Sequence, residues 1–434
     1  MLVSRFMLDL VLITLMVLPV AACSNDDTRE TDGVNSSSGP FVSTTPCPTA
    51  KAPAESITIR IGVITDQTGM ASQVMGTVDM ALKDLVKYFN DENLIPGARL
   101  EAIFYDGQYD ASKDVLGYNW LREKGADLIL ANLPNTAATL KPFADDDEMV
   151  VFSLFSSEQA ITEPGWIFCM NVPISAYSMT MLKWVAENDW DWQTKGPARI
   201  GGAGWTGPLW EEIQKGAEEY CSAHPEQFEW VGGYLTNFAM IWNAEVEALK
   251  DCDYVIPPGV GLVTFARQYR QENGRAKFLG FESQSTVLGL AAQTAGWDGL
   301  DGSLFMLPNR WWNEEAELSV LSNRLLNENH PQEAAEIRNS GSSYIGGITE
   351  WYGVLEIIAK TVEDYGAENF DSQAVYDTAV SFSTAYDQCE MWDFSPEKRT
   401  SWNYVGIYEL RAEDQDLIRH DPDWYPIIYA SDGN

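Results

Sequence analysis

Histidine is almost missing from this chain of 434 residues, which holds His224, His330 and His420. The first two stand beside prolines in polar segments, so neither a histidine-based catalytic triad nor a histidine metal site is supported. Cysteine is scarce as well. Cys23, Cys47, Cys169, Cys221, Cys252 and Cys389 include no CxxC spacing, which argues against zinc. Positive charge is the third shortage: 28 Lys and Arg face 64 Asp and Glu, a formal net of −36 spread along the whole chain. That balance argues against a nucleic-acid partner and against direct adhesion to an anionic membrane. The carboxylates read as a solvating surface, suited to a salty habitat.

The apolar run Leu10–Ala22 is short for a membrane span. Preceded by Arg5 and closed by Val20-Ala21-Ala22-Cys23, residues 1–23 resemble a bacterial lipoprotein signal peptide, which implies lipid attachment at Cys23. Asp9 departs from that pattern, and a short N-terminal anchor helix is the alternative. Either way the body lies outside the cytoplasm, lipid-anchored to the cell membrane in the first reading. Residues 24–55 are rich in Ser, Thr, Pro and Asp without apolar periodicity and read as a disordered tether. About 380 residues remain, enough for two domains. Cys221 and Cys252 flank a strand and helix of one region and are candidates for a disulfide; Cys169, in an apolar strand, reads as buried and free.

From residue 56 the chain alternates strand and helix, an α/β pattern that calls for doubly wound parallel sheets with right-handed crossovers. The stretch 129–162 organises it. Leu128-Ile129-Leu130 and Met149–Phe152 are short apolar runs, as strands covered on both faces should be, and each leads to a polar cluster: Pro134-Asn135-Thr136 and Phe155-Ser156-Ser157. Ligands of open α/β sheets sit beyond the carboxyl ends of strands, and a helix N-terminus with hydroxyls suits a carboxylate. Two ordinary N-caps on solvent-facing loops explain the same residues equally well. A second βα series begins near Ala198 and runs to Gln293, including a strand that ends at Glu282.

The opening IGVITDQTG, the loop Asn132–Thr139 and the strand end Phe155–Thr162 resemble, in order and spacing, the branched-chain amino-acid-binding family of ABC transporter substrate-binding proteins. The resemblance spans roughly residues 57 to 410. It implies the type I periplasmic-binding fold, two Rossmann-like lobes joined by a hinge: residues 56–172 and 306–390 in the first, 173–305 and 391–434 in the second. It further implies an amino acid or related compound bound between the lobes and delivered to an ABC permease, with no enzymatic step and no cofactor. Carried over residue by residue, the ligand carboxylate falls to Asn135 or Thr136, and the ammonium to Phe155, Ser156, Ser157 and the acidic Glu282. Trp205 becomes the aromatic wall. Departures are Met75, where an aromatic often closes the pocket, and Pro257-Pro258-Gly259 in a second-lobe loop.

Other signals lead elsewhere or nowhere. Gly202-Ala203-Gly204-Trp205-Thr206-Gly207 fits GxGxxG, but the next strand ends at Leu235-Thr236-Asn237 without the acid that holds a ribose, and Trp205 stands where pyrophosphate must approach. Sixteen tryptophans make a sugar-stacking platform conceivable, though core positions account for most. Two rivals stay open: a sensor of an amide, urea or aromatic acid on the same fold, and an extracellular α/β enzyme, for which no nucleophile elbow is present.

Overall fold

The computed structural model describes residues 56–386 and 389–429. Cys23, the tether with Cys47, and residues 430–434 lie outside the described residues, and the side chain of Cys389 is not described.

Strands β1 (Ile57–Thr65), β2 (Ala98–Asp106), β3 (Leu128–Ala131), β4 (Val151–Ser153) and β5 (Ile167–Cys169) make a parallel sheet in the order β2-β1-β3-β4-β5. In β3 all four residues are buried, Leu128 and Leu130 in one core layer and Ile129 and Ala131 in the other. Side chains alternate along a strand, so a continuous apolar run needs apolar cover on both faces. Helices Ser72–Asp91 and Ser343–Tyr365 supply one layer, Asp114–Glu123 and Thr136–Asp147 the other.

The second sheet takes β6 (Ala198–Trp205), β7 (Phe228–Thr236), β8 (Tyr254–Ile256), β9 (Lys277–Gly280) and β10 (Leu304–Leu307) in parallel. After a hairpin of β11 (Ser383–Tyr386) and β12 (Cys389–Asp393), strands β13 (Tyr404–Arg411), β14 (Asp416–Arg419) and β15 (Tyr425–Pro426) add an antiparallel edge. The order is β14-β13-β10-β9-β8-β6-β7, so this sheet is mixed where the sequence pattern called for parallel strands. Its antiparallel strands come from the last part of the chain, where strand follows strand without an intervening helix.

The chain passes between the sheets after β5, again after β10, and a third time between β12 and β13. Helix Ser343–Tyr365 thereby returns to the first sheet and packs along Ser72–Asp91, burying Trp351, Val354, Leu355 and Ile358 completely. The candidate disulfide is corrected: Cys221 and Cys252 are both free and buried, packed among the apolar side chains of the second lobe as small hydrophobes. Cys169 is also buried and free, and burial pushes its thiol up to about 11.

Candidate functional site

A cavity of about 100 Å3 lies between the two sheets, beyond the carboxyl ends of β3, β4, β6 and β9. The first lobe contributes an apolar stretch of wall: Met75 and Val78 from helix Ser72–Asp91, Leu133 after β3, Leu154 and Phe155 after β4. Trp205, Leu209, Trp210 and Val260 face them from the second lobe. The glycine-rich segment serves this packing. A Cβ on Gly204 would lie 2.7 Å from the Trp210 ring, and Gly207 has a φ of +150° before Pro208 opens the helix Pro208–Ala223.

The polar part of the site is acidic. Glu282, the first residue after Phe281 caps a short helix at the end of β9, is 6 % exposed; Glu350, on helix Ser343–Tyr365, is 3 % exposed. Asn171, in the crossing after β5, donates from Nδ2 to Glu282 Oε2 at 2.6 Å and to Glu350 Oε1 at 3.1 Å. Its own Oδ1 accepts from Tyr177 at 2.5 Å and from the Val172 N–H at 2.9 Å. Both amide ends are therefore committed, which fixes the orientation of the Asn171 side chain. Burial raises the pKa of both acids, and the neighbouring Glu282 charge raises Glu350 further. Both carboxyls bond the same Asn171 nitrogen, and two like charges held so near each other resist ionising together. Asn132, at the end of β3, donates to Asp79 at 3.0 Å and keeps Oδ1 without a hydrogen-bond partner. Burial lifts Asp79 to about 6.

Aromatic and polar contacts join the lobes around the cavity. Tyr109, following β2, meets Phe238, following β7, edge-on at 6.2 Å, and Phe238 lies 5.5 Å from Trp205, whose indole N–H donates to Ala239 O. Tyr109 and Phe238 both hold a left-handed backbone, φ 54° and 52°, which an aromatic residue adopts only under constraint from its surroundings. Elsewhere the Glu158 N–H donates to the Glu212 carboxylate at 3.0 and 3.2 Å. The lobes are thus closed on the cleft.

Of the residues singled out in the sequence, Phe155, Trp205 and Glu282 meet in this cavity. Asn135, Thr136, Ser156 and Ser157 do not line it. Asn135 precedes the helix Thr136–Asp147 in an αR conformation and makes no side-chain cap. Thr136 is buried beside Asp114, without a well-formed hydrogen bond between them. Ser156 turns inward to bond Ser153, and Ser157, at the N-cap of Glu158–Ile161, has a buried Oγ with no partner. Missed in the sequence were Asn171, Asn132 and Glu350. Glu350 carried a legible signal: it stands four residues before Val354 and four after Gly346, a lone acid on a stripe that is otherwise apolar or glycine.

A family model described as periplasmic binding protein matches residues 58–334. The chain belongs to this family. Among solved structures, a branched-chain amino acid ABC transporter protein of Thermus thermophilus with bound valine superposes with a TM-score of 0.73 at 15 % identity, over 87 % of this chain and 98 % of that one. A solute-binding protein of Rhodopseudomonas palustris BisB5 in complex with 3,4-dihydroxybenzoic acid gives 0.71 at 14 %, covering 87 % and 99 %. A fatty acid ABC transporter substrate-binding protein of Thermomonospora curvata gives 0.70 at 13 %, covering 86 % and 95 %. No curated protein matches the sequence. The chain thus has the type I periplasmic-binding fold and is a periplasmic, extracytoplasmic binding protein. Among the described residues no helix is long and apolar enough to cross a membrane, and no group of three or more His, Cys, Asp or Glu is placed to hold a metal ion.

Proposed function

We propose that the protein captures a small ligand bearing a protonated amino group, an amino acid or related compound, between its lobes and delivers it to an ABC permease while anchored through lipid on Cys23. The observation that carries the ligand class is the pair of buried carboxyls, Glu282 and Glu350, on a cavity wall that holds no Lys, Arg or His. A carboxylate in such a place binds an ammonium strongly, because little water competes for either charge. Phe155 and Trp205 enclose the ligand's apolar body. Since Phe155 belongs to one lobe and Trp205 and Glu282 to the other, a ligand touching all three favours the closed form over the open one by its differential affinity, the condition for ligand-driven closure.

An aromatic or fatty acid fits this chemistry less well, because its carboxylate would face Glu282 and Glu350 with no basic side chain on the cavity wall. The test is a thermal-shift screen of the protein against amino acids, amines, amides, aromatic acids and sugars. A rise in melting temperature confined to ligands with an ammonium group is expected, since a ligand that binds only the folded state stabilises it by linkage. Stabilisation by aromatic acids alone would reject the reading.

A further inference from the structure

We infer that the cleft selects an apolar organic amine without a carboxylate, in preference to the corresponding α-amino acid. This rests on the ammonium reading above and narrows it.

The cavity wall holds two acids, Glu282 and Glu350, and no Lys, Arg or His. An α-carboxylate brought in with an ammonium must therefore find neutral donors. Besides Tyr109, four hydroxyl residues line the cleft, Ser283, Thr286, Ser342 and Ser343, and each of these already donates within the protein. Ser283 Oγ donates to Gln284 Oε1 at 3.0 Å, Thr286 Oγ1 to Ser283 O at 2.8 Å, and Ser343 Oγ to Thr286 O at 3.4 Å. Ser342 shares a 2.6 Å bond with Ser285, whose hydroxyl proton is committed to Glu282 O at 2.7 Å, so the proton between the two serines comes from Ser342. The hydroxyls expected in the sequence to hold a carboxylate lie off the cavity. What is left for an anion is the Tyr109 hydroxyl and backbone N–H groups, facing the negative charge of the Glu282–Glu350 pair.

The acceptors tell the opposite story. Asn132 Oδ1 is buried on the cavity wall with no hydrogen-bond partner, because its amide nitrogen is turned to Asp79. Asn132 and the Glu282–Glu350 pair line the same cavity from the segments after β3 and β9 and from helix Ser343–Tyr365, so acceptors and no cationic donors surround a ligand there. The rest of the ligand meets Met75, Val78, Leu154 and Trp210. Burying a second charged group there without a partner is strongly unfavourable, so the wall itself discriminates against a zwitterion.

The experiment is isothermal titration of the full-length protein with two matched series: isopentylamine, leucine and 4-methylpentanoate; phenethylamine, phenylalanine and 3-phenylpropanoate. Within at least one series the amine is expected to bind about tenfold or more tightly than its amino acid, and the acid not to bind. An amino acid that binds as tightly as its amine, or more tightly, overturns the inference and leaves the ammonium reading intact. Binding of the acids alone, or of no compound in either series, overturns both.

Discussion

Two pairs of carboxylates span the lobes of this protein, and they differ in what surrounds them. Glu282 and Glu350 are enclosed and receive both hydrogens of the Asn171 amide, and burial raises the pKa of each. Glu158 and Glu212 are only half-buried; the Glu212 carboxylate is held by the backbone N–H of Glu158, while Ser175 bonds the Glu158 carboxylate. The first pair faces a cavity with apolar walls, whereas the second faces its own backbone partner and solvent. A like-charge pair becomes a ligand site when its acceptors remain unspent and water is kept out, and a closure contact when its acceptors are taken by the other lobe.

The largest effect should come from breaking the enclosed pair. Glu282→Gln keeps the shape and removes the charge, and is expected to weaken an ammonium-bearing ligand by about 30-fold or more, the order of a buried charged hydrogen bond of about 2 kcal/mol. Titration calorimetry of wild type and variant reads this directly; equal affinity would mean that the ammonium is held elsewhere. The same pair ties affinity to pH. Because Glu282 and Glu350 have raised pKa values, protons compete with the ligand for the pair above the usual carboxylate range, and ligand affinity falls as pH is lowered through that region. Tyr177 and Cys169, the other titratable groups facing the pair, are themselves held neutral by burial and do not reverse that direction.

That contrast explains how far the sequence could be read. The parallel strands were legible because runs such as Leu128–Leu130 and Tyr254–Ile256 are covered on both faces and so lack polar alternation. Trp205 and Glu282 were legible as strand-end residues of the second lobe. Which way a strand-end hydroxyl turns was not. Ser156 satisfies itself on Ser153, and Thr136 packs against the layer that holds Asp114, choices made by neighbours far apart in the chain. Glu282 and Glu350 lie 111 and 179 residues along the chain from Asn171, the hub that bonds both, and no local pattern announces such a meeting.

A smaller effect tests the half-exposed pair. Burial, followed by the charge of Glu158, raises Glu212 from 4.5 to about 7. The folded protein therefore holds a proton there that the unfolded chain releases, and stability contributed at this site declines as pH rises from about 4.5 to about 7. Glu212→Gln retains an acceptor for the Glu158 N–H without the titration, so its melting temperature should decline less over that window than the wild type's. If both proteins show the same slope, Glu212 titrates as an ordinary surface acid and the second pair is no pH-sensitive contact. Ligand affinity at pH 7 should change little in this variant, because Glu212 does not line the cavity.

The smallest effect is expected where the sequence pointed and the cavity does not reach. Ser157 is the N-cap residue of Glu158–Ile161, yet its side chain makes no cap bond and its buried Oγ has no partner. Replacing a working N-cap by alanine costs about 1 kcal/mol, but here that bond is not formed, while the desolvation of an unpaired hydroxyl disappears. Ser157→Ala should leave the melting temperature unchanged or slightly raised and ligand affinity within about twofold of wild type. A marked loss of affinity with normal folding would place a first-lobe hydroxyl on the ligand after all. The division between an apolar first-lobe wall and an acidic floor would then give way to a site able to hold a carboxylate, and with it an amino acid.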